Sequence, residues 1–318
     1  MQAVIVDDYG ESPRLAEVAT PEATAGQILV RVDAAGMNPM DRAIAAGGWK
    51  AVMPATFPMV LGADLAGTVE QLGEGSQRFS VGDKVFGQFL IPPLGSTGTY
   101  AEYVAVNEQA PVAQVPSELD AVVAASAPTA GMTGLSIIDM LPPLADQVVL
   151  IVGAGGGVGT FATQFAVNSG AHVIANVRAD NVERMRGYGV AETVDHTTAP
   201  VQDLVKRAHP DGIDVLIDVA SDAEGFGALS ELVRKGGAAL TTRYVADEEA
   251  LNARGVAPFN YQLQPSVELL ERVGQELATG RIVAPPIARI SLAQAPTVLA
   301  DQKGPALGGK TVIVLAAA

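Results

Sequence analysis

The sequence predicts an α/β protein of two domains. An irregular β domain spans residues 1–118 and is completed by 262–318, and a doubly wound domain with a parallel sheet spans 119–261. Three observations predict this. The chain has 318 residues, where roughly 150 per domain is usual. Its first third is a series of short β-rich runs broken by Gly, Pro and Asp. Its middle alternates apolar strand-like runs with amphipathic ones.

In the first domain QAVIVDD, QILVRVDAAG, LAGTVEQLG and DKVFGQFLI read as strands. A short helix is expected from about Met40 to Ala46, behind Asn38-Pro39, because proline suits a first helical turn. From Leu119 a small-residue helical stretch, 122–140, leads into VVLIVGAGGGVG. Strands are then expected at 148–152, 172–176, 191–194, 215–219, 238–242 and 256–261, with helices at 158–168, 181–187, 201–208 and 226–235. Continuous apolar strands joined by helices imply a parallel sheet covered on both faces. Residues 263–279 suit a helix and the terminal KTVIVL a strand, returning the chain to the first domain. The loops 47–57, 91–98 and 243–262 carry no pattern.

Composition excludes several function classes. Lys and Arg number 20 against 35 Asp and Glu, a net charge of −15, which opposes nucleic-acid binding and an anionic membrane surface. Apolar residues make up 48%, enough for a large core. There is no cysteine, so disulfides, thiolate zinc sites, iron–sulfur clusters and a cysteine nucleophile are all excluded. The start, MQAVIVDDYGESPR, lacks the basic and long apolar parts of a secretory leader, and the uncharged stretch 121–138 is interrupted by Pro128 and Gly131. A cytoplasmic protein with no membrane partner is expected.

The strongest chemical signal is Gly153-Ala-Gly-Gly156-Gly-Val-Gly159 between a strand and a helix. Glycines let the chain turn sharply and let a pyrophosphate approach the backbone, whose free N–H groups and positive helix end face the anion. Ala154, Gly156 and Gly159 match the dinucleotide fingerprint with Ala in first place, and Gly157 and Val158 open the helix. At the end of the second strand, where NAD proteins carry an acid, stands Val177, followed by Arg178. A guanidinium suits a 2′-phosphate, so NADP(H) is the expected cofactor. Asp180, two residues on, leaves open that Arg178 is only a solvated surface charge.

With the loop in place, the chain resembles the medium-chain dehydrogenase/reductase superfamily, in its zinc-free quinone oxidoreductase (zeta-crystallin-like) branch. The resemblance rests on GMNPMDRAIAAGG (36–48), FPMVLGADLAGTVEQLGEGSQRFSVGDKVFG (57–87), GTYAEYVAV (98–106), APTAGMTGLSII (127–138) and the glycine loop, in that order. It implies a GroES-like β domain, a Rossmann domain inserted into it, an active site in the cleft between them and a homodimer. Zinc-dependent relatives carry Cys and His where Asn38 and Ala63 stand here, and the three histidines, His172, His196 and His209, all fall in the Rossmann half. No metal site is assigned.

The resemblance places Asn38, Trp49 and Thr133 on the substrate and nicotinamide side. Asn38 is either an amide donor to a developing oxyanion or a turn-forming residue before Pro39. Trp49 stands where relatives often carry a Tyr, and either stacks on a flat substrate or packs a loop. Asp41 and Asp64 read as structural carboxylates. Thr241 and Thr242 at the end of the fifth strand and Ala220 and Ser221 at the end of the fourth are expected at the cofactor. By the resemblance His196, past the third strand, stands where relatives often carry a Tyr near the adenosine phosphate, and it is either a helper of Arg178 there or a surface histidine. A family Lys after the second strand is replaced by Val182, which leaves more of the phosphate contact to Arg178.

Without zinc or a Tyr-x-x-x-Lys spacing, alcohol oxidation lacks an evident proton acceptor. Hydride transfer to an electron-poor carbon asks less, since carbonyl oxygen takes the charge and solvent can supply the proton. The expected function is NADPH-dependent reduction of a quinone or an α,β-unsaturated carbonyl. A zinc-free NADP-dependent alcohol dehydrogenase and a non-catalytic NADPH-binding protein are the alternatives.

Overall fold

The computed structural model describes residues 1–90, 92–301 and 308–315. Ile91 of the 91–98 loop, and residues 302–307 and 316–318 of the returning segment, lie outside the described residues. The chain forms two compact units, residues 1–132 with 265–318, and residues 133–264.

The first unit runs through β1 (Gln2–Val6), β2 (Arg14–Glu17), β3 (Gln27–Gly36), α1 (Pro39–Ala45), β4 (Met59–Val60), β5 (Asp64–Leu72), β6 (Lys84–Gln88), β7 (Tyr103–Asn107) and β8 (Val112–Gln114). β1 lies antiparallel between β2 and β4. The ten-residue β3 organises the larger sheet: one edge pairs with β5, while the first half of the other edge pairs with β7. β5 pairs with β6, and β6 with β8. Ile28, Val30, Val32, Leu65, Val69, Val85 and Val104 fill the core between these strands.

Where one helix is expected over 122–140, two form: α2 (Ala121–Ser126) and α3 (Pro128–Met140). Pro128 has no N–H to continue the ladder and restricts Ala127 before it. The Asp120 side chain caps α2, accepting from the Val123 N–H at 2.7 Å. α2 packs on β3 and β5. A Cβ on Gly36 would lie 2.2 Å from the Ala125 carbonyl oxygen, so this approach requires glycine. That packing carries the border of the first unit past the expected residue 118, into α3.

The second unit contains β9 (Val148–Val152), α4 (Gly157–Asn168), β10 (His172–Asn176), α5 (Val182–Gly187), β11 (Glu192–Val194), α6 (Val201–Ala208), β12 (Ile213–Asp218), α7 (Ala223–Ser230), β13 (Val233–Thr241), α8 (Glu248–Ala253) and β14 (Ala257–Asn260). All its strand pairs are parallel, in the order β11-β10-β9-β12-β13-β14. This is the doubly wound order with its switch point between β9 and β12. Successive residues of β9 face opposite cores. Val149 and Ile151 join Val173 and Ile217, while Leu150 and Val152 join Ile174, Leu216 and Phe226.

Two expectations need correction. The helix expected over 226–235 lies at Ala223–Ser230, because Asp222 caps it and Val233 already belongs to β13. Gly225 and Gly227 hide its start in the sequence. The loop 243–262 contains α8, capped by the Asp247 carboxylate accepting from the Ala250 N–H at 3.0 Å.

The chain then returns to the first unit through α9 (Val267–Ala278), β15 (Ile287–Ser291), α10 (Ala295–Ala300) and β16 (Lys310–Val314). β16 pairs antiparallel with residues 34–36 of β3, beyond the segment held by β7. The pairing brings Lys310 beside Met37 and Asn38. Among the described residues, no helix is long and apolar enough to cross a membrane.

Candidate active site

The glycine segment joins β9 to α4. Gly153 has φ +81°, a left-handed conformation that side chains disfavour. A Cβ on Gly159 would lie 2.1 Å from the Gly153 carbonyl oxygen, so loop and helix touch only because no side chain intervenes. Gly156 is the N-cap residue, and the N–H groups of Gly157, Val158 and Gly159 have no acceptor within the helix. Ala154 is fully buried beneath the loop. These features fit a pyrophosphate, which would take the free N–H groups and the positive helix end.

Beside this loop lie two arginines. Arg178 follows the buried Val177 and its side chain is 60% exposed, with the Asp180 carboxylate 3.9 Å away. Arg184 on α5, not singled out in the sequence, reaches the loop itself. Its Nη2 donates to the Gly155 carbonyl at 3.1 Å and to the Asn181 side-chain oxygen. Its Nε and Nη1 are buried, and the Tyr188 hydroxyl lies beside the guanidinium, whose charge and hydrogen bond oppose the upward push of burial on that phenol. A guanidinium held against the loop in this way places a positive charge where an anion at the loop would be met. The only available signal was an Arg two residues past Val182. Val182 itself is a partly buried packing residue.

The other expected cofactor residues sit at the carboxyl ends of the strands. The Asn176 side-chain nitrogen donates to the Val194 carbonyl at 3.2 Å and lies 3.3 Å from Nδ1 of the exposed His196. Asp218 Oδ1 accepts from the N–H groups of Ala220 and Ser221, both at 2.9 Å, and its buried Oδ2 has no partner. Those two N–H groups are thus turned inward. Thr241 is fully buried, its hydroxyl oxygen accepting from the Arg243 N–H at 3.0 Å, whereas Thr242 is half-buried. Thr133 is buried on α3, and one turn on Ser136 shares a short hydrogen bond with the Tyr261 hydroxyl.

In the first unit, Asn38, Asp41, Asp64, Tyr100 and Lys310 form a buried polar network. Asn38 Nδ2 donates to Asp64 Oδ2 at 2.9 Å, and its Oδ1 accepts from Lys310 Nζ at 2.6 Å. Lys310 also donates to the Met37 carbonyl at 2.8 Å. The Thr129 hydroxyl donates to Asp64 Oδ1 at 2.6 Å. Asp41 accepts from the Asn38 N–H at 2.7 Å and from the Tyr100 hydroxyl. Both ends of the Asn38 amide are therefore engaged, leaving one N–H hydrogen for another acceptor. Burial pushes Asp41 up to about 7 against the opposing bonds from Tyr100 and Asn38. It also raises Asp64 and lowers Lys310, each against the attraction of the other. Trp49 is half-buried against the β core.

Residues 24–117 match the alcohol dehydrogenase GroES-like domain family, and residues 157–272 the zinc-binding dehydrogenase family. The chloroplastic quinone-oxidoreductase QR1 of Triphysaria versicolor is 30% identical over 235 residues, covering 70% of this chain and 68% of that protein. The chain belongs to the medium-chain dehydrogenase/reductase superfamily, in its quinone oxidoreductase-like branch. Within the superfamily, the chloroplastic quinone-oxidoreductase homolog of Spinacia oleracea is 32% identical over 207 residues, and the match spans 62% of either protein. The 2-methylene-furan-3-one reductase of Solanum lycopersicum is 29% identical over 290 residues, 89% of this chain and 70% of that protein. The solved quinone oxidoreductase of Coxiella burnetii superposes with a TM-score of 0.87 over 99% of both chains, at 26% identity.

Membership in a zinc-binding dehydrogenase family makes the fit of zinc a question of donor chemistry. At the network the available groups are carboxylates, an amide and a phenol, with no Cys or His. The Lys310 ammonium, 3.7 Å from Asp64, already supplies the positive charge there. This medium-chain dehydrogenase/reductase site does not fit a Cys/His zinc centre.

Proposed function

We propose that the chain is an NADPH-dependent oxidoreductase that delivers hydride to a quinone or an α,β-unsaturated carbonyl without zinc. The observation that carries this reading is the side-chain-free glycine turn that leads into the first turn of α4, with Arg178 and Arg184 beside it. The bound reduced nicotinamide supplies the hydride. In this reading residues 133–264 form the dinucleotide domain and the remainder the substrate domain. The first turn of α4 holds the pyrophosphate, with Ala154, Gly156, Gly157, Val158 and Gly159 forming the cradle. Arg178 and Arg184 hold the 2′-phosphate through charge-assisted hydrogen bonds. His196, Ala220, Ser221, Thr241 and Thr242 complete the cofactor side.

Asn38, Trp49 and Thr133 are the proposed substrate-side residues. Trp49 offers a flat ring for an aromatic acceptor, and the remaining Asn38 N–H offers a donor to the carbonyl. The Lys310–Asp64 network keeps Asn38 in one orientation. Solvent supplies the proton. The names of the quinone oxidoreductase and furanone reductase relatives support this substrate class. The lack of cysteine removes any need for an oxidising compartment, and family analogy suits a homodimer.

The test is NADPH oxidation by 1,4-quinones and enones after exhaustive chelation. Turnover unaffected by the chelator, and faster with NADPH than NADH, is expected. Tight NADPH binding with no turnover on either acceptor class would replace this reading with the non-catalytic one. Metal-independent oxidation of alcohols in preference to those acceptors would replace it with a dehydrogenase.

A further inference from the structure

At the opposite end of the parallel sheet from the glycine loop, His172 and Glu192 are the first residues of β10 and β11. Ile174 and Glu192 are in register. Side chains alternate along a strand, so His172 and Ile174 share a face, and Glu192 stands diagonally from His172 on that face. His209 caps the C-terminus of α6, which packs beside β11, and its N–H donates to the Val205 carbonyl at 2.7 Å.

The three side chains converge. Nε2 of His172 lies 2.6 Å from Glu192 Oε1, and Nε2 of His209 lies 3.1 and 3.3 Å from Glu192 Oε1 and Oε2. The rings are 6.0 Å apart at 66°. One ligand atom from each residue falls within 4.8 Å of the other two. Ligands about a tetrahedral zinc ion sit roughly 3.3 Å from one another, given bonds of about 2.0–2.1 Å. Only small side-chain movements separate the observed arrangement from that geometry.

We propose that His172, Glu192 and His209 form a binding site for a late first-row divalent cation of the zinc type. Two imidazoles and one carboxylate make a three-ligand set whose fourth position is left to water. Imidazole favours such ions over Mg²⁺ and Ca²⁺. The His172 and Glu192 side chains are 44% and 36% exposed, which gives the ion a path in. Two of the ligands are fixed by strand pairing and the third by a helix end, so much of the ordering is done before the ion arrives. The cation would tie the three-residue edge strand β11 to both β10 and α6.

The test is calorimetric titration of the full-length, chelator-treated protein with Zn²⁺. One ion per chain is expected, with no uptake of Mg²⁺. His172→Ala, His209→Ala and Glu192→Gln should each weaken Zn²⁺ binding by at least about ten-fold. His196→Ala, the change at the remaining histidine, should leave it unchanged. Zn²⁺ should raise the melting temperature of the parent protein more than that of the three variants. Glu192→Gln keeps the side-chain shape and stays informative if an alanine variant does not fold. No uptake by the parent, or equal uptake by the parent and the three variants, overturns the proposal. Zn²⁺ uptake is read without cofactor or substrate, so this result is independent of the hydride-transfer reading.

Discussion

Lys310 Nζ lies 3.7 Å from Asp64 Oδ2, with the two side chains 4% and 0% exposed. The lysine comes from the returning strand β16 and also donates to Asn38 and Met37. Removing the lysine leaves the buried Asp64 carboxylate with its neutral donors, Asn38 and Thr129, but without its counter-ion, at a cost of up to about 3–5 kcal/mol. Lys310→Met should lower unfolding stability by that order in a urea titration. Adding Asp64→Asn should restore part of the loss, because the stranded carboxylate is then gone. Equal stability of Lys310→Met and the parent would mean that the pair is not charged in the folded protein.

Asp41 gives the network a pH dependence. Its folded value of about 7 lies above the ordinary 3.8, chiefly through burial. Between these values the native state holds more protons than the unfolded chain, so stability falls as pH rises. This contribution is fully present below about pH 4 and is lost as pH rises through about 7. Asp41→Asn keeps an acceptor for Tyr100 and the Asn38 N–H, and should flatten that slope. Denaturant midpoints at pH 4.5 and 7.5 for the two proteins measure it. An identical slope in both would assign the dependence to other groups.

The Rossmann strands were legible because buried parallel strands are continuous apolar runs, and β9 and β10 have their expected bounds. The glycine loop was legible because its spacing is local. What stayed hidden depends on distance along the chain. Lys310 meets Asn38 only through strand pairing across 272 residues, and nothing at either position signals the partner. Arg184 looks like any charged residue of an amphipathic helix until α5 folds beside Gly155. The helix at Ala223–Ser230 was misplaced because its two glycines weaken the periodicity, while Val233 reads equally well as helix or strand.

Gly159 tests the loop geometry directly. Alanine there would place a methyl group 2.1 Å from the Gly153 carbonyl oxygen and 2.7 Å from the Ala154 Cα. Both neighbours are backbone, so the loop must shift. Gly159→Ala should cost about 1–3 kcal/mol of stability and abolish measurable NADPH uptake in calorimetry. Parent-like uptake by a folded variant would remove the loop from the cofactor site.

The two arginines separate the parts of the cofactor. Arg178 is largely exposed, with the Asp180 carboxylate 3.9 Å away, whereas Arg184 is partly buried and held against the Gly155 carbonyl. If both face the 2′-phosphate, Arg178→Ala and Arg184→Met should each weaken NADPH by about 1–3 kcal/mol, the order of a charge-assisted contact. NADH binding should then change little. Arg184→Met also removes the bond to the Gly155 carbonyl, so a small common loss for both cofactors is expected from loop loosening. Fluorescence titration with each cofactor, on variants whose melting temperatures match the parent, reads the difference. Equal large losses for NADPH and NADH at Arg184 would move that residue from the 2′-phosphate to the pyrophosphate. The same outcome at Arg178 would remove the basis for expecting NADPH over NADH from that position.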